Sequence, residues 1–417
     1  MELKRVVVTG LGAITPIGKN TSDYWDALLR GENGAAAITH FETSKHKTKF
    51  ACEIKDYDAR EYFDRKEVRK MDAYAQYGII AADEAVKDAG IDADSIDKNR
   101  VGVIWASGIG GLGTFHDEIA SFALGDGTPK INPFFIPKMI ADIAAGHISI
   151  RFGFRGPNFA TVSACASSAN ALSDSYNYIR LGKANAFVTG GSEAAVTKVG
   201  VGGFNALRAI STRNDDPKTA SRPFDKDRDG FVMGEGGGGL IFEELEHALA
   251  RGAKIYAEVA GAGLSGDAYH MTAPHPEGLG AYLCMQAALE DAGMDTTDIQ
   301  HINTHGTSTP VGDVVEPKAI VNLFGKHAYD ININSTKSMT GHLLGGAGAI
   351  EAIAALLAVK NDIIPPTINH FTDDPQIDNK LNFTYHKAHK RIVNAALTNT
   401  FGFGGHNASV IFKKFIQ

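Results

Sequence analysis

"EAVKDAGIDADSI", residues 84–96, returns as "AALEDAGMDTTDI" at residues 287–299, with six of thirteen positions identical and no gap. Each copy reads as the end of an amphipathic helix stopped by the glycine of Asp-Ala-Gly. Each leads into a short apolar run and a turn, "VGVIWASG" (101–108) in one and "HINTHGTS" (301–308) in the other. The flanking segments keep the same order. "VVVTGLGAITPIG" (6–18) answers "IYAEVAGAGLSGD" (255–267), "VSACASSANALSDSYNYIRLGKANA" (162–186) answers "KSMTGHLLGGAGAIEAIAALLAVKND" (337–362), and "FVTGGSEAA" (187–195) answers "NTFGFGGHNAS" (399–409). One short match is chance; four in one order mark a duplication. The chain therefore reads as two related halves, 1–254 and 255–417, packed about a pseudo-twofold axis. Strand-like runs alternate with longer helical patterns, the rhythm of an α/β fold with mainly parallel sheets.

The 417 residues are 44% hydrophobic and 21% charged, enough for a large core. With 41 basic against 48 acidic residues the net charge is −7, which gives no sign of nucleic-acid binding. Cys52, Cys165 and Cys284 are few, odd in number and far apart, so they form neither a disulfide framework nor a cysteine-rich metal site. "MELKRVVVTGLG" enters a strand and a glycine turn without a signal-peptide pattern. The most apolar helix, "AGAIEAIAALLAVKND" (347–362), carries Glu351 and reads as too short to span a bilayer. A soluble cytoplasmic protein with no membrane partner is the expectation.

Two glycine-rich stretches invite a nucleotide reading. "SGIGGLG" (107–113) contains G-x-G-x-x-G after a strand, yet the following residues read "DGTPKINPFFIPKMI", without the second strand and acidic ribose ligand that such a site needs. "GEGGGG" (234–239) lacks a following Lys-Ser/Thr. Tight turns and close backbone approach account for both.

Chemistry concentrates elsewhere. In "TVSACASSANALSDSYNYIRLG" (161–182), Cys165 stands where small residues run into a helix. Unpaired N–H groups and the dipole at a helix start lower a thiol pKa, and that is expected of Cys165. "NTHGTSTPVGDVVE" (303–316) sets His305 among glycines and small polar residues at a strand end. "NSTKSMTGHLLGGAGAIE" (334–351) offers Lys337 and His342 in a glycine-rich turn that opens a helix. If the halves are pseudo-symmetric, the Cys165 and His342 turns meet near the axis and His305 enters the same cleft. A thiolate with two imidazole donors suits acyl-thioester chemistry. Cys52 and Cys284 read as core.

"SACASS", "NTHGTSTPVGD", "STKSMTGHLLGGAG" and "TFGFGGHN", in this order, resemble the β-ketoacyl-acyl carrier protein synthases of the thiolase superfamily, over essentially the whole chain. The Cys-His-His set separates the sequence from the initiating synthases, and "GLGAITPIG" and "KSMTGHLL" look more like the type II elongating class (KAS II) than type I. It departs at His406, where the family often carries threonine. The resemblance implies a thiolase-like fold, a five-layer αβαβα sandwich, working as a homodimer without a cofactor. It implies that Cys165 carries the acyl chain, that the amides of Cys165 and Phe403 form an oxyanion hole, and that His305 and His342 hold the malonyl thioester carbonyl. Lys337 would pair with Glu316 behind the histidines. Thr272, Thr307 and Thr309 would line the malonyl and pantetheine approach, and Ile109 and Phe403 would gate the acyl pocket. Type I relatives suggest a structural monovalent cation near Asn303, Glu316, Glu351 and Asn399. The acyl carrier protein would dock on Lys66, Arg69 and Lys70, read as adjacent helical positions in "DRKEVRKMD" (64–72), together with Arg208. A thiolase would need a second catalytic cysteine, which "TFGFGGHN" lacks. A chain-length-factor subunit would have lost the nucleophile. Polyketide and aryl-polyene synthases share all these motifs.

Overall fold

The computed structural model describes residues 3–91 and 96–416, so the tail of the first repeat copy, 92–95, lies outside it. Ten strands form one hydrogen-bonded ladder. In the first half these are β1 (Val6–Ile14), β2 (Val101–Ala106), β3 (Asn158–Phe159), β4 (Ala186–Glu193) and β5 (Gly236–Glu244). In the second they are β6 (Ala257–Gly266), β7 (His301–Asn303), β8 (Asn332–Asn334), β9 (Ala395–Gly402) and β10 (His406–Lys413). The strand order is β8-β7-β9-β10-β6-β1-β5-β4-β2-β3. Reading outward from the middle, each half runs first, fifth, fourth, second, third. The two halves join where β1 and β6 pair antiparallel, from Val6 opposite Val259 to Val8 opposite Ala257.

Four helices complete the layers: α1 (Ala73–Ala89), α2 (Ser167–Arg180), α3 (Leu279–Ala292) and α4 (Ala347–Asn361). α2 and α4 pack against each other and against strands of both halves, forming the middle layer, while α1 and α3 cover the outer faces. The five-layer sandwich expected from the resemblance is present. The repeated Asp-Ala-Gly ends α1 at Gly90 (φ 66°) and α3 at Gly293 (φ 60°), each a left-handed cap. Both helices dock on glycine strands for the same steric reason. A Cβ on Gly10 or Gly12 would lie 2.2 or 1.9 Å from the carbonyl oxygens of Ala85 and Ala81. On Gly261 or Gly263 it would lie 2.6 or 2.1 Å from those of Ala288 and Cys284.

Three expectations are corrected. The sheet is mixed: β2–β3, β2–β4, β7–β8 and β7–β9 are parallel, but β1 and β10 pair only antiparallel. β9 returns into β10 through the three-residue turn 403–405 with no crossover helix, and β4–β5 is likewise antiparallel. The apolar helix is also longer than its core segment suggests. With its opening 3₁₀ turn the run Leu344–Asn361 has 18 residues and sufficient hydropathy to cross a membrane, yet 89% of it is buried between the two halves. Third, the duplicated turns align differently from their quoted starts. Ala164–Ala166 and Leu344–Gly346 are both 3₁₀ turns leading into α2 and α4, and Ala164 (φ 51°) matches Leu344 (φ 48°). Gly345 is thus the counterpart of Cys165.

Candidate active site

Cys165 sits in the turn before α2, 8% exposed, directly after Ala164, whose left-handed φ is a strained conformation for a non-glycine residue. That kink turns the thiol out of the helix toward a cavity of about 550 Å³. The end of β9 lies against the same turn: a Cβ on Gly402 would stand 2.7 Å from the Ser163 carbonyl oxygen and 3.1 Å from the Cys165 nitrogen. Only glycine permits that approach, which sets the Phe403 N–H near the Cys165 sulfur. Burial pushes the thiol up to about 12, while the Lys337 charge and the Phe403 N–H pull it down. The lowered pKa expected from a helix start is therefore reversed; desolvation of the thiolate outweighs the dipole.

His305 and His342 line the same cavity, with ring centroids 5.3 Å apart and planes at 86°. His305 follows β7, and its backbone is held by Glu316, whose carboxylate accepts the N–H groups of His305 and Gly306, both at 2.9 Å. The His342 backbone is locked into a bridge: its N–H donates to Val232 O at 2.7 Å and its carbonyl accepts from Gly234 N–H at 2.9 Å. Phe231 packs edge-on against the His342 ring, centroids 5.3 Å apart. Burial first, and then the Lys337 charge, hold both imidazoles well below their usual pKa, so both are neutral. Both ring nitrogens of His342 and Nδ1 of His305 are buried without a protein partner. Neutral rings with free N–H groups at a cavity wall are donors awaiting a carbonyl oxygen.

Lys337 lies behind these groups, 1% exposed, and pairs with Glu351 of α4 rather than with Glu316. The expected Lys337–Glu316 pair is thus corrected. Glu316 is occupied by two amides and by Asn399 Nδ2 at 3.1 Å, and reaches Lys337 only through its field. Burial raises both Glu316 and Glu351 to about 7. Of the residues suggested for a monovalent cation, two are satisfied within the protein and two are not. Glu316 is engaged as described and Asn399 Oδ1 accepts from Ser409 at 2.7 Å, whereas the Asn303 amide and, apart from the Lys337 ion pair on Oε1, the Glu351 carboxylate have no hydrogen-bond partner. Among the described residues no group of three or more His, Cys, Asp or Glu is arranged to hold a metal. No step below passes through a cation.

The cavity wall also includes Ile109, Phe403, Thr272, Thr307, Thr309 and Arg208. The glycine turn at 108–111, a nucleotide decoy in the sequence, is what brings Ile109 there, with Gly110 in a left-handed conformation (φ 79°). Thr307 and Thr309 hydroxyls stand 3.1 Å apart. Lys66, Arg69 and Lys70 are exposed but outside the wall, and their helix is only one turn, Arg65–Val68, started by a capping box from Asp64 and Glu67. Lys66 belongs to that turn, Arg69 ends it and Lys70 lies beyond, so they do not form one helical stripe. Cys52 and Cys284 are buried in separate hydrophobic clusters. Two neighbours escaped sequence reading. Phe231 is one; nothing marks it in "DGFVMGEG" (229–236). The other is Glu193, a buried acid closing an apolar strand, and that placement was a signal.

A fold of two repeated halves with a thiol and two neutral imidazoles at their junction defines a thiolase-type acyl-transfer enzyme. Two family models match in tandem: "Beta-ketoacyl synthase, N-terminal domain" over residues 3–248 and "Beta-ketoacyl synthase, C-terminal domain" over residues 256–371. The chain belongs to the β-ketoacyl synthase family. A curated 3-oxoacyl-[acyl-carrier-protein] synthase 2 of Synechocystis sp. is 49% identical over 415 residues, covering 100% of this chain and 99% of its own length. One of Staphylococcus aureus is 50% identical over 413 residues, 99% of each chain. Among solved structures, a β-ketoacyl synthase from Burkholderia phymatum superposes with TM-score 0.91 at 35% identity, covering 99% of this chain and 100% of its own. A chain from a type II PKS acyl-carrier protein in complex with its ketosynthase bound to the hexaketide gives 0.90 at 32%, with the same coverage.

Proposed function

We propose that the chain is a type II elongating synthase that condenses malonyl-acyl carrier protein with a Cys165-bound acyl chain in fatty acid elongation. The observation that carries this is the single cavity wall shared by the thiol and two neutral, unpartnered imidazoles. In the first half-reaction the Cys165 sulfur attacks the acyl thioester. The oxyanion is held by the Cys165 and Phe403 amides, and the thiol proton leaves with the carrier thiol. In the second, the malonyl thioester carbonyl accepts N–H groups from His305 and His342. Loss of CO₂ leaves an enolate whose carbon attacks the acyl-enzyme carbonyl; Cys165 is expelled and takes up a proton. The thioester activates one carbon and decarboxylation generates the other nucleophile, so the bond-forming step needs no redox cofactor. Lys337, buried against Glu351, is the positioning cation whose field adds to burial in keeping both imidazoles neutral.

The same reading assigns Ile109 and Phe403 to an acyl gate and Thr272, Thr307 and Thr309 to the malonyl and pantetheine path, supported by their position on the cavity wall. Arg208, exposed at that wall, with Lys66, Arg69 and Lys70, would receive the acidic carrier. The division at 254/255 is supported by the repeated strand order. A homodimer is supported by the exposed apolar residues Phe115, Ile119, Phe122 and Leu124 on the helix after Ile109 and by β3, which ends the sheet. Three free thiols accord with a reducing cytoplasm.

Cys165→Gln tests the reading. An amide cannot take an acyl chain, yet it mimics an acylated cysteine in the oxyanion site. The variant should release CO₂ from malonyl carrier, make no β-ketoacyl product, and lose CO₂ release when His305→Ala is added. A Cys165→Gln protein that still condenses removes Cys165 from the mechanism.

A further inference from the structure

Glu193 closes β4, is wholly buried, and takes no part in the condensation steps. Its Oε1 accepts the Ser107 hydroxyl at 2.8 Å and the Ile109 N–H at 3.3 Å. Its Oε2 accepts the Gly108 N–H at 2.8 Å and the Gly345 N–H at 3.0 Å. Three of these donors belong to the turn that carries Ile109. The fourth belongs to the turn that follows His342. That second turn is the duplicate of the nucleophile turn, with Gly345 in the position of Cys165. A Cβ at 345 would lie 2.1 Å from the Gly108 nitrogen, so the two backbones touch where the duplicate turn would otherwise hold a side chain. The Gly345 amide is the counterpart of an oxyanion-site donor, and a carboxylate oxygen fills it permanently. Burying a carboxylate costs several kcal/mol unless its lone pairs are satisfied. Here four donors satisfy them, and every donor lies on a turn that carries a working residue or leads from one.

We propose that Glu193 is a positioning residue that ties the acyl-pocket wall at Ile109 to the His342 turn through Gly345, so that chain-length discrimination and decarboxylation are coupled. This rests on Ile109 as part of the acyl gate and His342 as a malonyl donor. Glu193→Gln separates the two arms. With its one carbonyl oxygen toward Gly108 and Gly345, the amide NH₂ faces the Ser107 hydroxyl, which can accept, and the Ile109 N–H, which cannot. Only the Ile109 bond is lost. Glu193→Ala loses all four.

The test compares wild type, Glu193→Gln and Glu193→Ala in two assays: kcat/KM over acyl carriers of graded length, and CO₂ release from malonyl carrier. Glu193→Gln should flatten the chain-length profile about fivefold while CO₂ release stays within about twofold. Glu193→Ala should flatten the profile and slow CO₂ release about tenfold or more, effects in the range of single positioning contacts. A merely structural acid would scale both readouts together through the folded fraction and leave the profile unchanged. Should Glu193→Ala fail to fold, Ser107→Ala, which removes two bonds on the Ile109 side (hydroxyl to Glu193, and Gly110 N–H to hydroxyl), should move the profile as Glu193→Gln does. An unchanged profile in Glu193→Gln, or equal loss in both assays, overturns the inference. A wild-type protein that does not condense removes the functional reading and this inference with it.

Discussion

Replacing Gly402 by alanine drives a methyl group between the end of β9 and the nucleophile turn. The new carbon would stand 2.7 Å from the Ser163 carbonyl oxygen, 3.1 Å from the Cys165 nitrogen and 3.2 Å from the Ala166 nitrogen. All three contacts are backbone, so no side chain can swing aside. Reaching ordinary van der Waals separation requires the strand end and the turn to part by roughly half an ångström or more. The cost in stability is that of modest overpacking, about 1–3 kcal/mol, which a domain of ordinary stability survives. The cost in catalysis is larger. In the proposed oxyanion site the Cys165 amide on the turn and the Phe403 amide after the strand end are pushed apart and no longer converge on one oxygen. Loss of a single oxyanion donor lowers rate by about 10²–10³-fold, and that is expected for acyl transfer. Intact-mass measurement of Cys165 acylation by acyl carrier, in single turnover, reads this step directly. Alkylation by iodoacetamide needs the thiolate but no oxyanion site, and should fall far less than acylation does, by the lost pull of the Phe403 N–H on the thiol alone. Acylation of Gly402→Ala within about threefold of wild type would refute the assignment of these two amides.

Charge reversal at Lys66 and Arg69 should raise KM for acyl carrier about tenfold at low ionic strength, with the effect shrinking as salt is added and alkylation by small reagents unchanged. Carrier kinetics indifferent to the reversal at low salt would remove that surface from docking. Because burial holds the Cys165 thiol up at about 12, its thiolate fraction should rise tenfold per pH unit from 7 to 9. The alkylation rate should follow without a plateau; a plateau below pH 8 would contradict the assigned direction. Lys337→Met should slow alkylation further at fixed pH, since the Lys337 charge pulls that thiol down. It should also cost about 3–5 kcal/mol by leaving Glu351 buried and unpaired; unchanged thermal stability would mean that the pair carries no weight.

The duplication was legible because it lives in short-range patterns. Asp-Ala-Gly specifies a helix stop, and glycine pairs on β1 and β6 specify where a helix lies down on a strand. Cys165, His305 and His342 were legible for a related reason: each stands in a glycine-rich turn at an element's end, where a reactive side chain has little other purpose. Long-range partner choice was not legible. Lys337 had two acids to choose between, and only the placement of α4 beneath it selects Glu351. The direction of the Cys165 shift was missed because a helix start is visible in a sequence whereas the dryness around it is not. Glu193 was passed over because four of its partners come from two turns that meet only in the folded chain.

The pairing of β1 has a consequence in time. This strand is entirely buried and is made before either neighbour, for Val6 lies opposite Glu244 on one side and Val259 on the other. Both neighbours are more than two hundred residues downstream. At about 5–20 residues per second of synthesis, the strand waits roughly 10–50 s for its first partner. Throughout that interval "VVVTGLGAI" is an apolar segment with two unpaired edges, the kind that templates association between chains. Yield in the cell should therefore depend on whatever shelters this segment until residue 259 emerges. Moving β1 to the end of the chain, by circular permutation at a surface loop, should relieve that dependence without altering the finished site.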